Sequence, residues 1–209
     1  MSYLFFYDHT FPFDGVRPSD RTIANFSEVV DVEGLERALE SGKYQTFINL
    51  HGSYFPKDSW SAILRFFQQG GGLVHTGDIP FRYPVYKDQG EWKVEIEQTA
   101  YHQQLNIHEA LKVDSSKVHE LVGSNDRPIL EGLESAFSIQ STYGFVLHVT
   151  KEDDQPHENG SSGPMDAHIY PLLTGLSEEG REISAPVVLI ENTKGQFSGG
   201  RLDFFESAL

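Results

Sequence analysis

No cysteine occurs anywhere in the 209 residues. That absence excludes disulfides, thiolate metal ligation and a cysteine nucleophile together. Basic residues are scarce as well: 16 Lys plus Arg stand against 31 Asp plus Glu, for a formal charge of −15. A surplus of that size repels phosphate backbones and anionic lipid surfaces, so neither nucleic acid nor membrane is an expected partner. No apolar run approaches the ~20 residues of a bilayer-spanning helix. The start, Met1 through Asp8, has no basic region ahead of its apolar positions and reads as a strand, not as a signal peptide. A cytoplasmic protein is therefore expected. Compact ligand motifs such as His-Glu-x-x-His are missing too.

What is present is length and alternation. A chain of this size forms one domain and buries roughly 70% of its unfolded surface without staples. Tyr3 to Tyr7 is a continuous apolar strand, and Ser19-Asp20 caps a short helix through Ala24. Phe26 to Val32 reads as a second strand. Glu33 to Ser41 places Leu35, Ala38 and Leu39 at helical spacing, with Gly42 as its stop. Thr46 to Leu50 is the third strand, and Trp60, Ile63, Leu64 and Phe67 stripe the next helix. That helix meets Gly70-Gly71-Gly72, where a fourth strand begins with Leu73 and Val74. This β-α-β-α-β order predicts a parallel sheet.

Past Pro80 the pattern changes. Phe81 to Tyr86 reads as an aromatic loop, Trp92 to Glu97 as a half-exposed strand, and Thr99 to Leu105 as a short helix. A further helix is expected over Lys117 to Val122, and Ala136 to Thr150 is strand-rich. Lys151 to Pro164 is polar and breaker-rich, and reads as a mobile surface loop within one domain spanning 1–209. His168 to Leu173, Pro186 to Glu191 and Arg201 to Phe205 read as strands, the last two joined by a loop over Asn192 to Gly200. A chain ending straight after a strand, at Ser207-Ala208-Leu209, is what a domain cut from a longer protein would look like.

Three stretches carry a family resemblance. They are the strand–helix–Gly-Gly-Gly-Leu-Val unit from Phe47 to Val74, the Arg127-Pro128-Ile129-Leu130-Glu131-Gly132-Leu133 turn, and the ending from Ala185-Pro186-Val187 through Gly199-Gly200-Arg201-Leu202. In these the chain resembles the class I glutamine amidotransferase-like superfamily, nearest to trehalose-utilisation (ThuA-like) domains and the amidotransferase-like domains of glycoside hydrolases. The resemblance implies an α/β, flavodoxin-like three-layer sandwich: a mostly parallel central sheet, helices on both faces, and an added antiparallel C-terminal portion. Amidotransferases carry a nucleophilic cysteine in the turn that here reads His75-Thr76-Gly77, and this chain has none. Thr76 is a poor substitute without an adjacent base, so glutamine hydrolysis is not expected.

Parallel first, third and fourth strands would bring Asp8, His9, His51, His75, Thr76 and Asp78 toward one crevice at the sheet's carboxyl edge, with Arg82 and Tyr83 following. His75, Asp78 and His51 are the candidates for chemistry, as acid–base groups or as ligands of a divalent metal; no other cofactor is implied. The same groups suit hydrogen bonding to a sugar, with Trp60 or Tyr54 as a stacking face. A strand-end histidine also commonly does no more than bond a loop carbonyl. The expected function is a non-catalytic amidotransferase-like domain of a sugar-utilisation or carbohydrate-active protein, serving as a scaffold, oligomerisation unit or sugar-binding module. The alternative is a ThuA-like enzyme acting on a sugar-derived substrate. Expected partners are a carbohydrate or other small molecule, further copies of the chain, or a downstream catalytic domain.

Overall fold

The computed structural model describes residues 2–13, 17–77, 79–105, 109–112, 114–124, 145–148, 167–193 and 195–205. The first half of the chain lays down β1 (Tyr3–Phe6), α1 (Asp20–Ile23), β2 (Val29–Val30), α2 (Val32–Glu40), β3 (Thr46–Asn49), β4 (Tyr54–Pro56), α3 (Trp60–Gln68), β5 (Gly72–Thr76), β6 (Tyr83–Asp88), β7 (Glu91–Val94) and α4 (Ala100–Gln104). The second half adds β8 (Glu109–Lys112), β9 (Glu120–Gly123), β10 (Phe145–His148), β11 (Ala167–Leu176), β12 (Glu182–Asn192) and β13 (Arg201–Phe205). The result is a mixed α/β protein built on an eight-stranded sheet of order β2-β1-β3-β5-β13-β12-β11-β9. β2, β1, β3, β5 and β13 run parallel, and β12, β11 and β9 extend the sheet antiparallel.

The final strand takes a central place. β13 pairs with β5 in register, Leu202 beside Leu73, so the last of the described strands closes the parallel half. Leu4, Phe47, Leu73 and Leu202 form one row across the sheet. All four are buried, and α2 (through Leu35 and Leu39) and α3 (through Ile63, Phe66 and Phe67) pack on that face and on each other. β12 is apolar on both sides: Val188 and Ile190 join this core, while Val187 and Leu189 join a smaller cluster with Leu172 and Leu173 on the opposite face. On that opposite face, at β1, Phe26 stacks on Phe5 at 4.1 Å.

Local chemistry sets the element ends. The Asp31 carboxylate accepts the Gly34 N–H at 2.9 Å and caps α2, which confines the second strand to Val29–Val30 instead of Phe26 to Val32. α3 ends in a Schellman pair, with Gly71 N–H donating to the Phe66 carbonyl at 3.0 Å and Gly70 N–H to Phe67 at 2.9 Å. Gly70 supplies the required φ of +84°. A Cβ on Gly71 would come within 2.3 Å of the buried Phe66 ring. Gly71→Ala is expected to destabilise the fold by about 2–3 kcal/mol, read as a lower midpoint in urea unfolding. An unchanged midpoint would show that the Phe66 ring can yield.

Two sequence expectations are corrected. Phe81 to Tyr86 is not a loop: Tyr83–Asp88 is β6, the middle strand of a separate β4-β6-β7 sheet. The cause is the two-residue turn Gln89-Gly90, with φ of +49° and +88°, which folds β7 back onto β6 in a tight hairpin. Lys117 to Val122 is not a helix: Asp114 Oδ1 accepts the Ser116 N–H at 3.0 Å and holds a 3-10 turn, after which β9 pairs with β11. The open edge of β11 outweighs the local helical pattern. Arg127 to Leu133, Lys151 to Pro164 and most of Ala136 to Thr150 lie outside the described residues.

Candidate functional site

From β1 the chain crosses to β2 on one side and then to β3 on the other, so the loops leaving β1 and β3 part at the sheet's carboxyl edge. Open α/β sheets place ligands at such a divergence. Asn49, the last residue of β3, is fully buried there. Its Nδ2 donates to the Gly52 and Tyr54 carbonyls at 3.0 Å each, and its Oδ1 accepts the His51 N–H at 3.0 Å. One side chain thus ties the whole turn between β3 and β4.

That turn inserts His51 into the mouth of the sheet. The imidazole is 0% exposed and surrounded by the rings of Phe6, Tyr7, Phe11 and Phe13, with centroids 4.8–5.5 Å away. Nε2 accepts the Asp8 N–H at 2.9 Å, and Nδ1 lies 2.8 Å from the Pro12 carbonyl. A backbone N–H only donates and a carbonyl only accepts, so the proton sits on Nδ1. Burial first, and then the Arg17 guanidinium, push the pKa down to about 4, against the Pro12 carbonyl and the Asp8 carboxylate, which favour the charged form. His51 is a neutral residue with both ring nitrogens engaged by backbone.

Asp8 faces outward from the same junction. Its half-buried carboxylate accepts the Thr10 N–H at 2.8 Å and the Thr10 hydroxyl at 2.7 Å. Burial works to raise its pKa, but the Thr10 bonds and a bond from the Val32 backbone outweigh burial and hold it below the ordinary carboxylate range. Thr10 Oγ1 in turn accepts the Trp92 indole N–H at 2.9 Å, tying the β6–β7 hairpin to the β1 loop. Salt bridges from Lys57 to Glu95 and from Arg82 to Glu97 fasten the hairpin's other end.

Between α2 and this hairpin lies a cleft of about 400 Å³. Val32, Pro56 and Val85 give it an apolar lining, and Tyr86 and Trp92 add aromatic surface. Among the described residues, Asp8, Asp31, Glu33 and Asp58 bring four carboxylates to it, against the single ammonium of Lys87. Lys87 Nζ lies 5.1 Å from the Trp92 ring centroid.

Among the described residues, Asp8 is the one ligand or catalytic candidate from the sequence that lines this cleft. His75 pairs in register with Asn49 and is 1% exposed within β5. Thr76 ends β5, and Gly77 follows close to the Gly52 backbone, to which a Cβ on Gly77 would come within 3.4 Å. Asp78 lies outside the described residues. Arg82 pairs with Glu97 at 2.7 Å, and its guanidinium lies 5.4 Å from the Tyr83 ring, which neighbours Tyr54 at 5.3 Å. His9 is exposed and meets Tyr7 edge-on at 5.0 Å. Trp60 is a core residue, 8% exposed and packed against Phe55, Phe81 and Tyr101.

Sequence inspection missed Asn49, Asp31, Glu33, Asp58, Lys87 and Trp92. Asp31 shows its role in sequence only as a helix cap, and Trp92 only as one apolar position of an alternating strand. Their convergence needs the hairpin to fold over α2. Among the described residues no group of three or more His, Asp or Glu is placed to hold a metal ion. Among them, too, no helix is long and apolar enough to cross a membrane.

In comparison with known proteins, the chain matches no protein-family model and no curated sequence.

Proposed function

We propose that this chain is a non-catalytic amidotransferase-like domain of a sugar-utilisation or carbohydrate-active protein, and that it holds a small polyhydroxylated ligand in the cleft between α2 and the β6–β7 hairpin. The strand order, with its divergence between β1 and β3, is what a flavodoxin-like sandwich would have, and the cleft opens where such a fold binds ligands. The observation that carries the proposal is the joining of Trp92 to Asp8 through Thr10 at that edge. An aromatic face beside fixed carboxylates suits a sugar, whose C–H face stacks while its hydroxyls donate to the acids. Catalysis finds less support: the chain has no cysteine, and His51 has both ring nitrogens engaged by backbone groups.

The test uses the chain's own two tryptophans. Neutral mono- and oligosaccharides titrated into the protein should shift the emission of Trp92 while Trp60 stays constant in the core. Trp92→Ala should weaken binding at least about tenfold by calorimetry. Undiminished affinity in that variant would put the ligand elsewhere. A sugar chemically altered after incubation with stoichiometric protein would overturn the non-catalytic half of the proposal.

A further inference from the structure

We infer that the cleft selects a ligand bearing an ammonium group, an amino sugar over its neutral or anionic counterparts, and that Lys87 is the chain's own occupant of the position this ammonium takes. The inference rests on the sugar-binding proposal for the same cleft and adds the charge of the ligand. The starting point is the aromatic wall. Trp92 is fixed by its hydrogen bond to Thr10, and the Lys87 ammonium lies against the ring at cation–π distance. A ring so placed favours a positive charge over its face, and here that face borders a cleft of about 400 Å³ that is partly open to solvent.

The surroundings reinforce that preference. Among the described residues, Asp8, Asp31, Glu33 and Asp58 line the cleft against Lys87, so this lining keeps a net negative charge after its own cation is counted. The N-terminus of α2 would ordinarily attract an anion. Here Asp8 accepts a bond from the Val32 backbone and Asp31 accepts the Gly34 N–H, so the protein's own carboxylates already serve that end. A phosphorylated or uronic sugar would meet unbalanced carboxylates with no helix end to receive it. An amino sugar would add the missing positive charge.

Lys87 is suited to give way. It is exposed, sits on a flexible four-carbon stem two residues before the hairpin turn, and among the described residues pairs with none of the four carboxylates. An incoming ammonium would displace it from the indole while the acids stay in place.

The experiment compares two ligands of equal length, a fully deacetylated glucosamine trimer and the N-acetylglucosamine trimer. Calorimetry is run at a pH that keeps the sugar amines protonated, in low salt and again in about 0.5 M NaCl, where the Debye length is a few ångströms. The deacetylated trimer should bind about tenfold or more tightly than the acetylated one, and the difference should shrink in high salt. Lys87→Ala should tighten the amine ligand several-fold more than the acetylated one. Glu33→Gln with Asp58→Asn, both at exposed positions, should remove most of the preference. Equal affinity for both trimers, or weaker amine binding in Lys87→Ala, overturns the inference while leaving the sugar-binding proposal intact. No binding of either trimer overturns both.

Discussion

Replacing His51 with alanine should cost about 4 kcal/mol of stability. The ring fills space between four aromatic side chains, and its removal opens a cavity at the switch point. It also leaves the Asp8 N–H and the Pro12 carbonyl without the partners that now satisfy them. Urea unfolding measures the loss; a change below about 1 kcal/mol would mean that neither the packing nor the bonds matter. The bound proton gives an independent check. Nitrogen-resolved NMR should find the Nδ1–H tautomer and no titration of this ring until pH approaches 4.

The sign of the pH effect follows from that depression. The folded state holds His51 neutral down to about pH 4, whereas in the unfolded chain the ring titrates near 6.5. Its contribution to stability is therefore complete above pH 6.5 and is lost as the pH falls toward 4, by about 3 kcal/mol at most. Asp203 acts in the opposite direction. It lies on the sheet face away from α3, in register between Val74 and Leu189, and burial raises its pKa to about 6, with Arg201 opposing and Glu191 assisting. Its ionised form weakens the fold above pH 6, and that penalty is relieved as the pH falls from 6 toward 3.8, again by about 3 kcal/mol at most. The two effects nearly cancel in the wild type between pH 6.5 and 4. Asp203→Asn should expose the fall due to His51, with a clear loss of stability on acidification. An unchanged pH profile in Asp203→Asn would mean that Asp203 is not perturbed.

Asn49 carries the second large expectation. Asn49→Leu keeps the volume but orphans the Gly52 and Tyr54 carbonyls and the His51 N–H, all at a fully buried site. A loss of about 3–4 kcal/mol is expected, from the desolvation of three unpaired backbone groups. Asn49→Asp tests the mechanism more sharply. It would set a carboxylate against two carbonyl oxygens, so it should be the more damaging change at neutral pH and recover in part when acidified. If aspartate is tolerated better than leucine at pH 7, the amide is not holding the turn in the way its hydrogen bonds indicate.

Asn49 also shows where sequence information gives out. Within Phe47-Ile48-Asn49-Leu50 it is one polar residue at a strand end, and nothing local says that three backbone partners close around it. His51 is similar: strand-end placement was evident, but the choice between ligand and loop tie depends on Pro12 and Asp8, which lie about forty positions away. Trp92 and Lys87 converge with Asp31 and Asp58 only because Gln89 and Gly90 adopt positive φ and turn the hairpin back.

By itself the sequence determined the parallel β1-β3-β5 unit, the α2 and α3 stripes with their glycine stops, and the antiparallel pairing of the last two strands. Each follows from short-range periodicity, capping or turn chemistry, which a few neighbouring residues contain in full. Tertiary structure alone decided three other matters: the insertion of β13 beside β5, the extension of the sheet by β9, and the position of the cleft. Those depend on which open strand edge a distant segment reaches and on which side chains meet across it. Asp8 is where the two levels meet, since its place at the end of β1 is legible locally, while its partners Thr10, Val32 and, through Thr10, Trp92 come together only in the folded chain.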